Sequence, residues 1–180
     1  MKMKKITYVG NLSGKSKGIY REEDGKIILG QSHPIFIQNF HYHLIELEIY
    51  ADGVIDCWKL VNFEEFKQKV VEGWVVTEIP ENAEISIFPL GYYSTINVVN
   101  AVKPQELIKE VADIIEELNN RPTTSHLCQD AYEEYLKNSN NKTEEKLRNT
   151  YEAIPEHNRI YVLGDMNLKD SPIRKIIYGE

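Results

Sequence analysis

The sequence predicts an α+β protein, in which a mostly antiparallel sheet with one inserted helix is followed by a three-helix C-terminal segment and a terminal strand. Three observations lead to this prediction. Short runs of β-branched and aromatic residues alternate with turn signals up to Pro104. One amphipathic helical pattern interrupts these runs, and after Pro104 the apolar residues recur with the helical period of about 3.6.

No linker rich in glycine, serine or proline separates the two patterns. We therefore expect residues 1–180 to form a single domain, with a β-rich part over 1–103 and a mainly helical part over 104–180.

Eight segments have the composition of strands: residues 4–10, 25–30, 34–40, 43–50, 54–61, 74–79, 83–88 and 94–99. Asp24-Gly25 and Asp52-Gly53 each stand between two of these segments, which is a strong hairpin signal. The second pair predicts a two-residue turn that joins 43–50 to 54–61. Tyr92 and Tyr93 follow Gly91, and we expect this short stretch to be a turn.

The inserted helix is predicted over about 62–73, with Asn62 as its N-cap and Gly73 as its stop. Pro104 suits the first turn of the next helix. Three helices are then expected over about 104–120, 125–137 and 143–154. A helical turn from Pro155, a loop over about 164–172 and a strand over 173–178 complete the prediction.

Composition and charge limit the classes of partner. Hydrophobic residues make up 42% of the chain and charged residues 27%, as in a typical soluble domain. The 28 acidic and 21 basic residues give a formal charge of −7, which repels nucleic acid and attracts basic proteins. We expect a protein partner that is basic, no nucleic acid and no membrane.

The two cysteines, Cys57 and Cys128, have no metal-binding spacing, and we expect both to be reduced and buried. The N-terminus lacks the apolar length of a signal peptide, and no segment approaches that of a membrane span. The expected location is the cytoplasm.

The segment Gly14-Lys15-Ser16 follows a predicted strand, as in a phosphate-binding loop. That loop requires the pattern GxxxxGK[ST] and an immediate helix, because loop amides and the helix N-terminus together hold the phosphates. Here Val9 occupies the position of the first glycine, and no helical pattern follows. The sequence thus predicts no nucleotide site and no other cofactor.

Two polar groups are candidates for chemistry. His41 and His43 have the HxH spacing that places two imidazoles on one face of a strand, where Glu46 or His33 would complete a metal site. The alternative is two solvated histidines at the start of a strand. The second group combines acids, a base and guanidinium groups in the segment 156–174: His157, Asp165, Asp170 and Arg174. Such a mixture can form an acid–base or phosphate site, or an ordinary helix end with solvated ion pairs.

Aromatic side chains are candidates for partner contact, because they offer a large apolar body at low entropic cost. The candidates are Trp58, Trp74, Tyr92 and Tyr93. The alternative role for all four is core packing.

Three segments carry a family resemblance: IYADGVIDCWKLVNFEEFKQKVVEGWVV, RPTTSHLC and LRNTYEAIPEHNRIYVLGDMNLKDSPIRKIIYG. They resemble a family of bacterial proteins of unknown function, from about residue 40 onward. The resemblance implies a bacterial, cytosolic origin and a self-contained domain, and it transfers no activity and no functional residue.

Two functional hypotheses follow from the sequence. The first is a small acidic cytosolic binding protein, of the immunity or conflict-system type, that occludes a partner. The alternative is a small-molecule or metal-dependent enzyme that uses either the segment 156–174 or the pair His41 and His43.

Overall fold

A computed structural model describes residues 18–95, 101–164 and 167–180. The predicted strand at 4–10, most of the one at 94–99, the Gly14-Lys15-Ser16 segment and Asp165 lie outside these ranges. The chain divides into two compact units, 1–119 and 120–180. Organisation as a single domain stays a prediction, and the two units are described separately.

In the described part of the first unit, eight strands form one sheet, which confirms the mostly antiparallel α+β prediction. The strands are β1 (Gly18–Glu23), β2 (Lys26–Asn39), β3 (His41–Tyr50), β4 (Ile55–Asp56), β5 (Leu60–Val61), β6 (Val75–Val76), β7 (Glu84–Ile87) and β8 (Gly91–Ser94). The main path runs β1-β2-β3-β4-β5, β6 joins β2, and β8 joins β7. Only the contact of β3 with β7 is parallel among the described pairings.

The first unit also contains α1 (Phe63–Val71) and α2 (Pro104–Leu118). The second contains α3 (Thr124–Lys137), α4 (Asn141–Ala153), a 3-10 helix (Glu156–Tyr161) and α5 (Ser171–Tyr178). The inserted helix and the three helices predicted after Pro104 are therefore confirmed, each within two residues or so of its predicted ends.

The predicted terminal strand at 173–178 is wrong, because these residues form α5. Pro172 stands in its first turn, where a missing N–H costs nothing. Ile173 and Ile177 are spaced one helical turn apart and are both buried. Gly179 ends the helix with φ 75°, a left-handed conformation that glycine adopts without strain.

The two segments predicted as strands at 25–30 and 34–40 are one continuous strand, β2. Gly30 is a packing position and not a turn. A Cβ atom built there would lie 2.7 Å from Tyr50 Cδ1 and 2.8 Å from the Ile49 carbonyl oxygen. Glycine thus allows the neighbouring strand and the Tyr50 ring to approach closely.

The Asp24-Gly25 hairpin is confirmed, with both residues at positive φ between paired Glu23 and Lys26. The second hairpin also forms, but its two-residue turn is wrong. Ile49 pairs with Ile55, and the Tyr50 N–H donates to the Val54 carbonyl, so three residues form the loop. Gly53, with φ 82°, supplies the left-handed residue that such a loop requires.

The predicted strand at 54–61 is itself a hairpin, in which β4 and β5 pair across a short turn at Trp58. The Cys57 N–H donates to the Lys59 carbonyl at 3.3 Å and closes this turn. The predicted turn at Gly91 is likewise wrong, because 91–94 form β8, paired with β7. Local composition could not reveal either pairing.

Each unit has a hydrophobic core of its own. In the first, Leu107, Val111 and Ile114 of α2 join α1 and one face of β2 and β3 in a single buried cluster. In the second, a separate cluster includes Cys128, Leu147 and Ile173. Both cysteines are free and buried, as expected.

Candidate functional site

At the start of β3, the face of the sheet that packs in the core extends to solvent. His41 and His43 alternate in phase with Ile45, Leu47 and Ile49, which lie under the helices. The HxH spacing thus places both imidazoles on one face, beyond the edge of the buried cluster. Here the side chains change from aliphatic to aromatic.

Five rings follow one another from this point, and we call them the aromatic strip: Tyr92, His41, His43, Trp58 and Trp74. Adjacent ring centroids lie 5.8 Å apart for Tyr92 and His41, 6.3 Å for His41 and His43, 5.0 Å for His43 and Trp58, and 6.1 Å for Trp58 and Trp74. The pairs are edge-on or tilted, which is the arrangement that ring quadrupoles favour. Four separate segments of the chain contribute to it.

Polar contacts hold three of the five rings in position. Trp74 Nε1 donates to the Cys57 carbonyl at 3.4 Å, and His43 Nε2 lies 3.1 Å from the Asn39 carbonyl. His41 Nδ1 lies 3.2 Å from Glu84 Oε1 on β7. A strip fixed in this way loses little side-chain entropy when a partner binds.

Two exposed aromatic residues at the site have a left-handed backbone. Trp58 is 49% exposed with φ 71°, and Phe40, the single residue between β2 and β3, is 96% exposed with φ 60°. This region costs a residue with a Cβ atom about 1–2 kcal/mol, and burial of the side chain offsets little of that cost at Phe40. Strain at exposed aromatic residues is typical of functional positions.

The described part of the first unit, residues 18–119, is more acidic than the whole chain. Residues 18–119 contain seven lysines and arginines against eighteen aspartates and glutamates, a formal charge of −11. Residues 120–180 contain nine against ten, a charge of −1, and residues 1–17 contain five lysines and no acid. Residues 18–119, which contain the aromatic strip, therefore attract cations more strongly than residues 120–180 do.

The histidine pair was a candidate metal site. Among the residues that the structure describes, no group of three or more histidine, cysteine, aspartate or glutamate side chains is placed to hold a metal ion. The polar contacts described for His41 and His43 are with the Glu84 carboxylate and the Asn39 carbonyl.

The second candidate group lies in the C-terminal unit. Asp170 is buried, and its Oδ2 accepts a hydrogen bond from Tyr151 Oη at 2.5 Å. Burial, and then this bond, raise the pKa of Tyr151 well above its ordinary value. Arg174 pairs with Glu180 and lies 5.9 Å from the Tyr178 ring. His157 lies in the 3-10 helix, and Asp165 is not described.

The structure thus joins His41, His43, Trp58, Trp74 and Tyr92, whereas Tyr93 is the neighbour of Tyr92 on β8 and is 48% exposed. Sequence reasoning missed Phe40 and Glu84. Phe40 reads as the end of a strand, because positive φ leaves no mark on an aromatic residue. Glu84 reaches His41 only through the long-range pairing of β7 with β3.

None of the helices within the described ranges is long and apolar enough to span a membrane.

Comparison with known proteins places the chain among families defined without an activity. Residues 18–122 match the family model "Domain of unknown function (DUF7638)", and residues 123–180 match "Domain of unknown function (DUF7639)". No curated protein and no solved structure matches the chain. The expected resemblance to a family of unknown function is confirmed. The longer match spans more than half of the residues, so the chain belongs to the family of the domain of unknown function DUF7638.

Proposed function

We propose that this is a protein-binding protein that holds a basic partner against the aromatic strip of its first unit. One observation carries the proposal: Trp58 is half exposed on a left-handed backbone, between the rings of His43 and Trp74 in the aromatic strip. A residue that served only the stability of this turn would be glycine or asparagine.

The chemistry of the strip favours a cationic partner. Aromatic faces attract ammonium and guanidinium groups, by about 0.5–2 kcal/mol for each contact. Lys69 already makes such a contact at one end of the strip, where its Nζ lies 5.2 Å from the Trp74 ring centroid. The charge of −11 over 18–119 would steer basic proteins towards this unit and speed their association.

The proposal includes a bacterial, cytoplasmic setting and an immunity-type role, in which the bound partner is occluded. Free buried cysteines are compatible with a reducing compartment. The enzyme alternative stays a hypothesis without a specific observation in its favour.

Affinity capture from a lysate of the source organism tests the proposal, with three baits: the native chain, the double variant Trp58→Ala/Tyr92→Ala, and Leu136→Ala. Leu136 is 60% exposed in the second unit and is the matched surface control. We expect a basic protein that the native and control baits retain and the double variant loses, with weaker capture at high salt. Equal capture by all three baits would contradict the proposal.

The interaction can then be measured directly, because both tryptophans of the chain lie in the strip. Titration of the captured protein should change the intrinsic fluorescence of the native chain. A saturable binding signal without any change in tryptophan emission would place the contact elsewhere.

A further inference from the structure

The first unit contains a pocket of about 130 Å³ beside β2. Within the described residues, β1 pairs with β2 as far as Gln31, and β6 pairs with the same edge only at Phe36 and Ile37. The pocket lies along the interval between them, where Pro34 has no N–H to leave unpaired. Its apolar walls are Pro34, Ile35, Phe36, Val102 and Leu107.

Three polar side chains line the same pocket: His33, Thr77 and Glu110. Thr77 Oγ1 is buried, and it has no hydrogen-bond partner in the part of the chain that the structure describes. An unsatisfied buried hydroxyl costs about 1–3 kcal/mol, so a ligand that supplies a partner gains that energy. Glu110 is the charged member, and a carboxylate can accept several hydrogen bonds at once.

Side chains of all three types can accept hydrogen bonds: a carboxylate, a hydroxyl and an imidazole ring. A primary ammonium has three donors and a positive charge, so it complements this set and the negative charge of the unit. An apolar cavity of about 150 Å³ can hold benzene, which sets the ligand size at about five or six non-hydrogen atoms.

We propose that this pocket binds a primary alkylammonium group, with the alkyl chain against Ile35 and Leu107 and the nitrogen near Thr77 and Glu110. Two sources supply this chemistry, a free short alkylamine and the lysine side chain of a protein. This pocket shares no residue with the aromatic strip, and neither proposal depends on the other.

The test is titration of the full chain with n-butylammonium chloride at constant ionic strength, followed by two-dimensional NMR of the backbone amides. We expect saturable shifts centred on the amides of His33, Ile35, Phe36 and Thr77. The neutral isostere n-butanol should bind at least about tenfold more weakly, which is the loss of roughly one charge-assisted hydrogen bond.

Two variants identify the polar groups. Glu110→Gln should weaken n-butylammonium binding about tenfold or more, and Thr77→Val by about three- to tenfold. Glu117→Gln is the matched control, because it removes the same charge from an exposed position on α2 and should leave binding within about twofold. The native amide spectrum of each variant shows that it is folded.

Equal binding of n-butanol would overturn the proposal, and so would equal losses in Glu110→Gln and Glu117→Gln, which indicate a diffuse ionic attraction. Nα-acetyl-lysine amide distinguishes the two sources. Binding comparable to n-butylammonium supports insertion of a lysine side chain, whereas exclusive binding of n-butylammonium supports a free amine.

Discussion

At the scale of single residues, Phe40 is the clearest case of a residue that lowers the stability of the fold. Its side chain is 96% exposed, and its φ of 60° is one that asparagine adopts far more readily than phenylalanine. We therefore expect Phe40→Asn to raise the free energy of unfolding by up to about 1 kcal/mol, measured by urea denaturation.

Val71→Asn is the control for this prediction, because Val71 is 81% exposed at the end of α1 with an ordinary helical backbone. It should change stability by less than about 0.5 kcal/mol. Destabilisation by Phe40→Asn would mean that the ring contributes to the fold, and the argument from strain would fail.

Tyr151 gives a prediction about pH. Burial and the hydrogen bond to Asp170 raise its pKa in the folded chain above the unfolded value of about 10. Above pH 10 the unfolded chain loses a proton that the folded chain keeps, so stability is complete below pH 10 and falls as pH rises beyond it. The slope due to this tyrosine should be about 0.7 kcal/mol per pH unit at pH 10, where half of the unfolded phenol is ionised, and should approach about 1.4 kcal/mol per pH unit above pH 11.

Burial, and then the hydrogen bond to Glu48, likewise raise the pKa of Tyr50, so this tyrosine adds a similar pH dependence to the stability of the first unit. Urea denaturation between pH 9 and 11 should show that the free energy of unfolding falls less steeply with pH in Tyr151→Phe than in the native chain. The variant should also be less stable at every pH, because it removes the hydrogen bond to the buried Asp170. Tyr161→Phe, at a phenol that is 55% exposed, is the control. An unchanged slope in Tyr151→Phe would contradict the assignment.

At the scale of elements, α1 tests whether the site depends on local helix stability. Asn62 Oδ1 accepts from the Glu65 N–H at 2.9 Å, and Glu65 Oε2 accepts from the Asn62 N–H at 3.0 Å, a complete capping box. Asn62→Ala should lower the free energy of unfolding, measured by urea denaturation, by about 1 kcal/mol. Asn62→Asp should retain most of the stabilisation from the cap, because aspartate is also a good N-cap residue.

Trp74 is anchored at the other end of this helix, where its N–H donates to the Lys69 carbonyl and its own carbonyl accepts from Gln38. We therefore expect Asn62→Ala to leave tryptophan emission in the native state unchanged. A shifted emission maximum would show that the N-terminal cap also positions the strip.

The elements also show what sequence can predict. Asn62 and Pro104 mark helix ends through local chemistry, and both predictions are correct. Residues 173–178 are rich in isoleucine, which suits a strand or a short helix, and only packing within the second unit decides between them. The hairpin at Trp58 and the pairing of β8 depend on partners distant in sequence.

The aromatic strip illustrates the same limit. Its histidines and tryptophans are visible in the sequence as separate motifs, and HxH correctly predicts one shared face. These side chains come together only because β7 lies beside β3 and the segment 54–61 folds back on itself. No periodicity in the sequence encodes those contacts, so the candidates were found and their convergence was not.

At the scale of the whole molecule, charge and packing divide the chain at nearly the same place. The boundary between the two compact units lies after Asn119, and the boundary between the two family matches lies after residue 122. Each unit contains its own hydrophobic cluster. The formal charge is −11 over 18–119 and −1 over 120–180. A cationic partner should therefore recognise the first unit.

Separate expression of residues 1–122 and 120–180 tests this division. We expect 1–122 to unfold cooperatively in urea, because its sheet, α1 and α2 share one core that includes no residue of the second unit. It should bind the captured basic protein as tightly as the full chain does, and the affinity of both should fall at least about tenfold between 50 and 500 mM salt. A fragment that stays unfolded would instead support a single cooperative domain over 1–180, since the second unit would then be needed to complete the fold. A folded fragment that binds weakly would place part of the contact surface after residue 122, and the aromatic strip would no longer account for the interaction.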